Sequence, residues 1–242
     1  MLKTAVVLPT YNERENLATV SQAILALDLD LELVVVDDSS PDGTGALADA
    51  MARMDWRLHV VHRTGERSYA ASILEGLRFA LKGDCDCVVT MDADRSHDPL
   101  CIPDVVHAAE QYDVILGSRY VDGLSVVNWS LPRVMASYAA NTYVRWITGL
   151  RFMDATTGFR LYRRDVLEAM DLERIAASGY AFLIEMAYRP HRMGFRVGEA
   201  PIIFYGAHSR RSRLSGVMGI LEAAIHTVRL RLRSVPLPRR LA

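Results

Sequence analysis

Short, mostly β-branched apolar runs alternate with longer stretches through the first half of the chain, and this alternation limits the fold more than any other feature. The runs have the length of strands, and the stretches between them have the length of helices. Such a rhythm is typical of an α/β fold with a central, mostly parallel sheet and helices on both faces. The predicted strands are residues 5–8, 33–36, 58–61, 88–91 and 114–116, and the predicted helices are 13–27, 44–53, 70–81 and 102–110.

The second half is less regular and ends in an amphipathic segment. Apolar residues at 217, 220, 221, 224, 225, 228 and 232 lie on one face of a helix predicted over 215–233. We therefore divide the chain into a domain at 1–215 and a basic helix with its tail at 216–242. The other predicted elements are helices at 132–148, 165–170 and 180–192 and strands at 158–162 and 195–204.

Composition excludes several classes of protein. Half of the 242 residues are hydrophobic and 24% are charged, which supports a large core and argues against global disorder. No uncharged apolar run reaches the ~18 residues that a spanning helix needs, and residues 1–9 are too short for a signal peptide. Three cysteines without metal-ligand spacing, Cys85, Cys87 and Cys101, predict buried thiols in a reducing cytoplasm.

A nearly neutral total charge hides an asymmetry along the chain. Residues 1–204 carry 20 Lys and Arg against 28 Asp and Glu, whereas residues 205–242 carry 8 Arg and a single acid, Glu222. The basic end predicts contact with an anionic partner. From the charge alone, this partner can be a nucleic acid, a phospholipid surface or a phosphate substrate.

Polar residues follow the predicted strands at the edge where open parallel sheets bind ligands. Segment 9–13 follows the first strand, Asp37 and Asp38 the second, Asp92 and Asp94 the fourth, and segment 117–120 the fifth. The first segment has neither the glycine pattern of a dinucleotide site nor a P-loop lysine. Four acids at two strand ends repel one another unless a cation lies among them.

Asp92 and Asp94 are the strongest single indication of function. Residues two apart in an extended segment point the same way, so the two carboxylates can hold a hard divalent ion. Mg²⁺ typically keeps open positions for phosphate oxygens. The alternative is a solvated acidic turn, and the position after a strand, facing Asp38 and Arg119, favours the ion.

Seven segments in order resemble family 2 glycosyltransferases with the GT-A fold, and within them the polyprenol-phosphate (dolichol-phosphate) mannose synthases. The resemblance covers roughly residues 4–215. The segments are PTYNE at 9–13, VVDDSSPDGT at 35–44, MDADRSH at 91–97, GSRY at 117–120, TGFRLYR at 157–163, GYAF at 179–182 and EM at 185–186.

The resemblance implies a role for each matching position. The site would hold Mg²⁺ or Mn²⁺ on the diphosphate of a nucleotide-sugar, and arginines would hold the phosphate of a lipid acceptor. The implied catalytic residues are Asp94, Arg119 and Arg133. The implied donor-binding residues are Pro9, Tyr11, Glu13, Val36, Asp38, Asp92, Ala93, Asp94 and Arg213; the implied metal ligands are Asp92, Asp94 and Ser96; and the implied acceptor-phosphate residues are Arg119, Arg133 and Ser137.

The chain departs from the family pattern in two places. Relatives often have a glycine-rich stretch where this chain has RSYAA at 67–71. They commonly carry Arg, Gly and Lys where this chain has Ala207, Arg210 and Arg213, and only Arg213 is carried over as a donor-binding residue.

The expected reaction is inverting, metal-dependent transfer of mannose from GDP-mannose to a polyprenyl monophosphate. Three alternatives stay open: a UDP-sugar donor with the same acceptor, transfer to a sugar hydroxyl with Asp154 as the base, and a nucleotide-sugar-binding module without turnover. A phosphate acceptor needs no base because its second pKa is about 6. We expect a cytoplasmic enzyme at the membrane surface, with no nucleic-acid partner and with a membrane protein as a possible partner. The helix at 215–233 either lies on lipid or packs on the core.

Overall fold

Seven strands form one sheet in the order β3-β2-β1-β4-β7-β5-β8. The structure is a computed structural model that describes residues 2–206 and 217–232. All strands of this sheet are parallel except β7, which runs antiparallel between β4 and β5. The strands are β1 (Thr4–Thr10), β2 (Leu31–Asp37), β3 (Leu58–His62), β4 (Cys87–Thr90), β5 (Val114–Ser118), β6 (Val126–Val127), β7 (Arg160–Arg163), β8 (Val197–Pro201) and β9 (Phe204–Tyr205).

Helices cover both faces of the sheet, as the alternation predicts. Side chains of β1 alternate between two cores: Val7 packs with α3, and Val6 packs with α1 and α4. Burial on both faces explains why the strands read as continuous apolar runs. The helices are α1 (Arg14–Leu25), α2 (Thr44–Ala52), α3 (Tyr69–Lys82), α4 (Ile102–Ala108), α5 (Leu131–Thr148), α6 (Arg164–Ala169), α7 (Gly179–Arg192) and α8 (Val217–Leu232), with short 3-10 helices at Pro99–Cys101 and Leu172–Arg174.

The predicted strand at 195–204 is divided in two, which corrects the sequence prediction. Its middle part is β8 in the main sheet, and its last residue, Phe204, begins β9, which pairs with β6 in a separate two-stranded sheet. The chain leaves the main sheet at Ile202, whose N–H still bonds to the Ser118 carbonyl at 3.1 Å. Two-residue strands such as β6 and β9 are too short to show a period of two in the sequence.

The loops that end β1, β2 and β4 meet at one edge of the sheet. The strand order reverses between β1 and β4, and ligands of open α/β sheets bind at such a reversal. Three non-glycine residues of these loops adopt left-handed backbone conformations: Asn12 with φ 57°, Ser39 with φ 56° and Arg95 with φ 63°. Backbone strain of this kind collects at functional sites.

Helix α8 has two apolar stripes rather than one. Ala223 and Leu230 are buried where α8 lies against α5 and α7, and Tyr143 of α5 donates a hydrogen bond to the Ala224 carbonyl at 3.1 Å. The second stripe faces solvent and consists of Leu221, Ile225, Val228 and Leu232, all of which belong to the stripe predicted from the sequence. The sequence did not predict the buried stripe.

Two further features bear on the sequence predictions. None of the described helices is long and apolar enough to cross a membrane. All three cysteines are free thiols; Cys85 and Cys87 are buried, and Cys101 is partly exposed.

Candidate active site

Two aspartates follow β4 at the carboxyl edge of the sheet. Asp92 and Asp94 are partly exposed, whereas Ala93 between them is 2% exposed and packs in the core. Because alternate residues of an extended segment point to opposite sides, both carboxylates face away from that core. The loop then turns back at Arg95, and the Ser96 N–H donates to Asp94 Oδ1 at 3.0 Å.

Asp92 is held by a tyrosine that sequence analysis did not select. The Tyr69 hydroxyl, at the start of α3, donates to Asp92 Oδ1 at 3.0 Å. A Cβ atom on Gly158 would lie 2.4 Å from that hydroxyl and 3.1 Å from the same carboxylate oxygen. Glycine is therefore required at 158 to leave room for this hydrogen bond, and no sequence pattern around Tyr69 reveals it.

His97 orders the aspartate loop as a neutral imidazole. Its Nδ1 accepts the Asp92 backbone N–H at 3.1 Å, so the ring proton resides on Nε2. Burial lowers the pKa of His97 to about 4. The 3.6 Å approach of Nδ1 to Asp92 Oδ2 is for the same reason not an ion pair, since Nδ1 is an acceptor.

The electrostatics of the aspartate pair favour a bound cation. Burial and then the charge of Asp94 raise the pKa of Asp92 to about 7, against the hydrogen bond from Tyr69 and the charge of Arg119. A divalent ion beside the pair would reverse this shift. The site therefore has the chemistry of a cation site, with two carboxylates that repel each other.

Two carboxylates fit a metal that completes its coordination shell with substrate oxygens. Within residues 2–206 and 217–232, no three or more His, Cys, Asp or Glu side chains gather in a group that could hold a metal. Mg²⁺ is commonly bound by one or two carboxylates together with phosphate oxygens and water. The Ser96 hydroxyl is buried nearby and has no hydrogen-bond partner in the described part of the chain, so its predicted role as a ligand stays a prediction.

Asp38 lies at the end of β2 and is already bound by protein groups. Arg63 forms an ion pair with its Oδ1, and the Ser68 N–H donates to its Oδ2 at 2.9 Å. Its neighbour Asp37 accepts the Ser40 N–H at 3.1 Å and so organises the turn. Asp38 thereby ties the loop before α3 to the end of β2.

Tyr11 carries an arginine on its ring. The Arg67 guanidinium carbon lies 3.7 Å from the ring centroid, which is a close cation–π contact. Arg67 is exposed, so a planar ligand group would compete with it for the same aromatic face. In the sequence, segment 67–71 stands out only as a departure from the family pattern.

The other predicted donor-binding residues have mixed surroundings. Pro9 and Glu13 are partly exposed at the end of β1 and the start of α1, and the Asn16 amide donates to Glu13 Oε2 at 2.8 Å. The side chain of Val36 is fully buried against α3 and, like that of Ala93, does not face the cleft. Only the backbone of these two residues is left to contact a ligand. Arg213 lies outside the described residues.

Arg119 follows β5 and is buried in an ion pair with Asp154. Its Nε and Nη2 bond to Asp154 Oδ2 and Oδ1 at 2.6 and 2.7 Å, and Nη2 also donates to Thr156 Oγ1 at 2.8 Å. Burial alone raises the pKa of Asp154, but the charge and hydrogen bonds of Arg119 outweigh it, and the pKa is lowered. A fully buried, ion-paired carboxylate with a lowered pKa is a poor general base.

Arg133 and Ser137 lie one turn apart on α5, as their spacing predicts. Arg133 is exposed, with its guanidinium carbon 4.2 Å from the centroid of the Trp129 ring. Ser137 Oγ accepts a hydrogen bond from the Tyr120 hydroxyl at 2.7 Å. The residue after Arg119 therefore links the end of β5 to the face of α5 that carries both predicted acceptor residues.

An apolar cavity of about 370 Å³ opens beside these residues. Leu124, Met135 and Tyr138 are exposed at this cavity. Cationic and apolar groups therefore lie side by side along α5, which suits a ligand with an anionic head and an apolar chain. The cavity is lined by Tyr120, Gly123, Leu124, Val134, Met135, Tyr138 and Met153.

Arg160 is a buried cation that serves the fold. It is 1% exposed and donates to the carbonyls of Thr157, Ala155 and Leu183 at 2.8, 2.8 and 2.6 Å. These bonds fix the loop that supplies Asp154 and Gly158 to α7. Arg160 therefore holds the site in place without lining it.

Comparison with known proteins yields one family and several near relatives. A sequence profile described as "Glycosyl transferase family 2" matches residues 5–171. The chain is 39% identical over 227 residues to the "Undecaprenyl-phosphate mannosyltransferase" of Micrococcus luteus, covering 94% of this chain and 93% of that protein. It is 42% identical over 216 residues to the "Polyprenol monophosphomannose synthase" of Mycolicibacterium smegmatis, covering 88% and 82%.

Solved structures show the same fold at lower identity. The crystal structure of glucosyl-3-phosphoglycerate synthase from Mycobacterium tuberculosis with Mn²⁺, uridine diphosphate and glucosyl-3-phosphoglycerate superposes with a TM-score of 0.70 and 19% identity, over 98% of this chain and 81% of that one. The same enzyme with Mg²⁺ and uridine diphosphate gives a TM-score of 0.65 and 18% identity, over 94% and 79%. The likeness confirms the predicted GT-A fold.

Proposed function

Because the chain belongs to glycosyl transferase family 2, and is thus a glycosyltransferase as predicted, we propose that it transfers mannose from GDP-mannose to a polyprenyl monophosphate with inversion at the anomeric carbon. The observation that carries the proposal is the pairing of cationic and apolar groups on α5, with Arg133 beside the cavity of Met135 and Tyr138. The names of the two relatives that cover most of the chain support it.

The proposed reaction is a single in-line displacement. An oxygen of the acceptor phosphate forms a bond to the anomeric carbon of mannose, and the bond from that carbon to the donor diphosphate breaks. The nucleoside diphosphate leaves with the electron pair. The acceptor oxygen is already anionic near neutral pH because the second pKa of a phosphate monoester is about 6, so no side chain has to remove a proton.

The protein's task is then to position two anions. Arg119 and Arg133 would bind the acceptor phosphate, and Ser137 would donate to it. Arg119 is buried and its orientation is fixed by Asp154, which is the kind of support that a positioned catalytic group needs. The paired state of Asp154 favours this acceptor over a sugar hydroxyl, for which Asp154 would have to act as a base.

Asp92 and Asp94 would hold Mg²⁺ or Mn²⁺, with Ser96 beside them. The ion would stabilise the departing diphosphate as a Lewis acid. Pro9, Tyr11, Glu13 and Asp38 would contact the nucleoside, as would the backbone of Val36 and Ala93, and Arg213 would meet the diphosphate.

We also propose that the enzyme works at the cytoplasmic surface of a membrane, where a polyprenyl phosphate resides. Helices α5 and α8 lie against each other, and both expose large apolar side chains. Arg229 and Arg231 lie in the last turn of α8, where they can meet anionic lipid. A membrane-protein partner stays a prediction. The exposed residues are Leu131, Met135, Tyr138 and Trp146 on α5 and Ile220, Leu221, Ile225, Val228 and Leu232 on α8.

A donor and acceptor matrix tests the proposal. GDP-mannose and UDP-glucose are each incubated with polyprenyl phosphate or with the matching polyprenol, in Mg²⁺, Mn²⁺ or EDTA, and lipid-linked sugar is measured. We expect product from GDP-mannose and polyprenyl phosphate in either metal, and none in EDTA. Product from UDP-glucose alone would exclude GDP-mannose as the donor. Equal product in EDTA would exclude the dependence on a metal.

A further inference from the structure

Trp129 contacts both arginines that the proposed function places at the acceptor phosphate. Its ring centroid lies 4.2 Å from the guanidinium carbon of Arg133 and 5.2 Å from that of Arg119. Trp129 itself lies between β6 and α5, and from the sequence it was expected to pack in the core or to meet lipid. A single aromatic ring therefore joins a buried cation to an exposed one.

The two arginines differ in how they are held. Arg119 is fixed by a two-point ion pair with Asp154. Arg133 is exposed, and in the described part of the chain it has no ion pair. A long exposed side chain without a partner samples many rotamers, and ordering it on a ligand costs entropy. In the structure the Arg133 guanidinium is stacked on the ring of Trp129.

The indole is held by its ring and not by its polar atom. Phe204 packs edge-on against it, with centroids 5.4 Å apart and planes at 72°. Gly206 lies so close that a Cβ atom there would be 2.8 Å from Trp129 Cδ1. The indole Nε1 is buried and has no hydrogen-bond partner among residues 2–206 and 217–232. Replacing Trp129 by Phe therefore removes no hydrogen bond seen there and retains an aromatic face.

We propose that Trp129 is a positioning residue that holds Arg133 beside Arg119, so that one phosphate group meets both guanidiniums. The proposal rests on the proposed function for the identity of the acceptor. It adds that the strength of acceptor binding depends on an aromatic face at 129, because a cation stacked on such a face is attracted to it and keeps its outward N–H groups available.

Equilibrium binding of a short-chain isoprenyl phosphate, measured by titration calorimetry, tests the proposal without turnover. The proteins are wild type, Trp129→Leu, Trp129→Phe, Arg133→Ala and the double variant Trp129→Leu/Arg133→Ala. We expect Trp129→Leu to weaken binding about threefold to tenfold, which lies within the range for a lost cation–π contact. Trp129→Phe should bind within about twofold of wild type because the aromatic face remains.

The double variant separates positioning from general damage. If Trp129 acts through Arg133, its loss adds nothing once Arg133 is absent, so the double variant should bind like Arg133→Ala. Three results would each overturn the proposal. The affinity losses of the two single variants could multiply in the double variant, Trp129→Leu could bind like wild type, or Trp129→Phe could bind as weakly as Trp129→Leu. If Trp129→Leu does not fold, Trp129→Met fills the space without an aromatic face.

Turnover separates this inference from the proposed function. Wild type that binds the isoprenyl phosphate in the expected pattern but transfers no mannose to polyprenyl phosphate would overturn the function and leave the positioning role standing. If wild type transfers mannose but acceptor binding does not depend on Trp129, the positioning role is overturned and the proposed function stands. The KM for GDP-mannose should stay unchanged in Trp129→Leu.

Discussion

At the scale of single residues, charge at the site is arranged in two different ways. Asp92 and Asp94 lie together at the mouth of the cleft and repel each other, which leaves them in need of a cation. Arg119 and Asp154 neutralise each other in the interior. The first pair was visible in the sequence because both acids lie in one short segment. The second pair was not, because its members are 35 residues apart in the chain.

Asp94→Asn should abolish metal-dependent transfer and leave the fold intact. The amide keeps the size of the side chain but removes a charge that a hard cation requires, so we expect kcat/KM to fall by at least about 10²-fold, as for other groups that stabilise charge in a transition state. Asp104→Asn, an exposed acid on α4, is the matched control. Wild-type turnover in Asp94→Asn would exclude the metal role.

Asp154→Asn should destabilise the protein strongly. It leaves the buried Arg119 without its counter-charge, which typically costs about 3–5 kcal/mol. Asp84→Asn breaks the exposed pair with Lys3 and should change the unfolding free energy little. Urea unfolding of both variants measures the difference. If both variants lose only a small and equal amount of unfolding free energy, Arg119 has found another partner.

At the scale of elements, the structure bears on whether α8 packs on the core or lies on lipid, which the sequence left open. The helical period showed an apolar stripe but not what it touches. In the structure, Ala223, Thr227 and Leu230 are buried, while a second stripe is exposed beside α5. The helix is therefore neither purely a core helix nor purely a surface one.

Leu221→Ser with Ile225→Ser should weaken binding to anionic liposomes without lowering the melting temperature. Both side chains are exposed, and an apolar side chain that enters lipid contributes roughly 1.5–3 kcal/mol when fully buried, so we expect at least about a tenfold loss in co-sedimentation. Met54→Ser with Trp56→Ser, which changes two exposed apolar residues before β3, is the control. Equal loss in both double variants would contradict a specific lipid-binding face.

The contact between α7 and α8 should weaken in acid. Burial alone raises the pKa of Glu185, but the hydrogen bond from His226 of α8 and the charge of Arg189 outweigh it, and the pKa is lowered. A lowered pKa in the folded state means that the contribution to stability is complete above the unfolded pKa, about 4.3 for glutamate, and is lost as the pH falls through the folded pKa.

Glu185→Gln tests this pH dependence by urea unfolding at a series of pH values. The variant should be less stable than wild type at pH 7, and the difference should shrink below about pH 4. Glu168→Gln on α6, which breaks an exposed pair with Arg164, should show little difference at any pH. A Glu185→Gln difference that is constant down to pH 3 would contradict the ionic nature of the contact.

At the scale of the whole molecule, the sequence predicted the architecture better than the contacts. Fourteen of the fifteen predicted segments correspond to helices or strands whose ends differ from the predicted ends by a few residues, because long periods and β-branched runs reflect burial directly. The reversed direction of β7 was missed, since a four-residue strand carries no mark of direction. Tyr69 and Trp129 were missed because their roles depend on contacts across loops.

A ligand that joins the loops at the sheet edge should stabilise the whole protein. A group that binds only the folded state adds about 2.7 kcal/mol to the unfolding free energy at 100 times its dissociation constant. We expect GDP with Mn²⁺ to raise the melting temperature, and Asp94→Asn to lose most of that rise. A rise retained in full by Asp94→Asn would show that the nucleotide binds without the aspartate pair.

The reversed strand β7 lies between β4, which leads to the aspartates, and β5, which leads to Arg119. It divides the ligand-binding edge into two halves that belong to different stretches of chain. Outside the loop at 154–158, which contacts both halves, changes of nucleotide preference and changes of lipid preference should therefore arise from separate sets of substitutions. Such independence would let lineages with this architecture, and engineers who follow them, exchange one substrate while keeping the other.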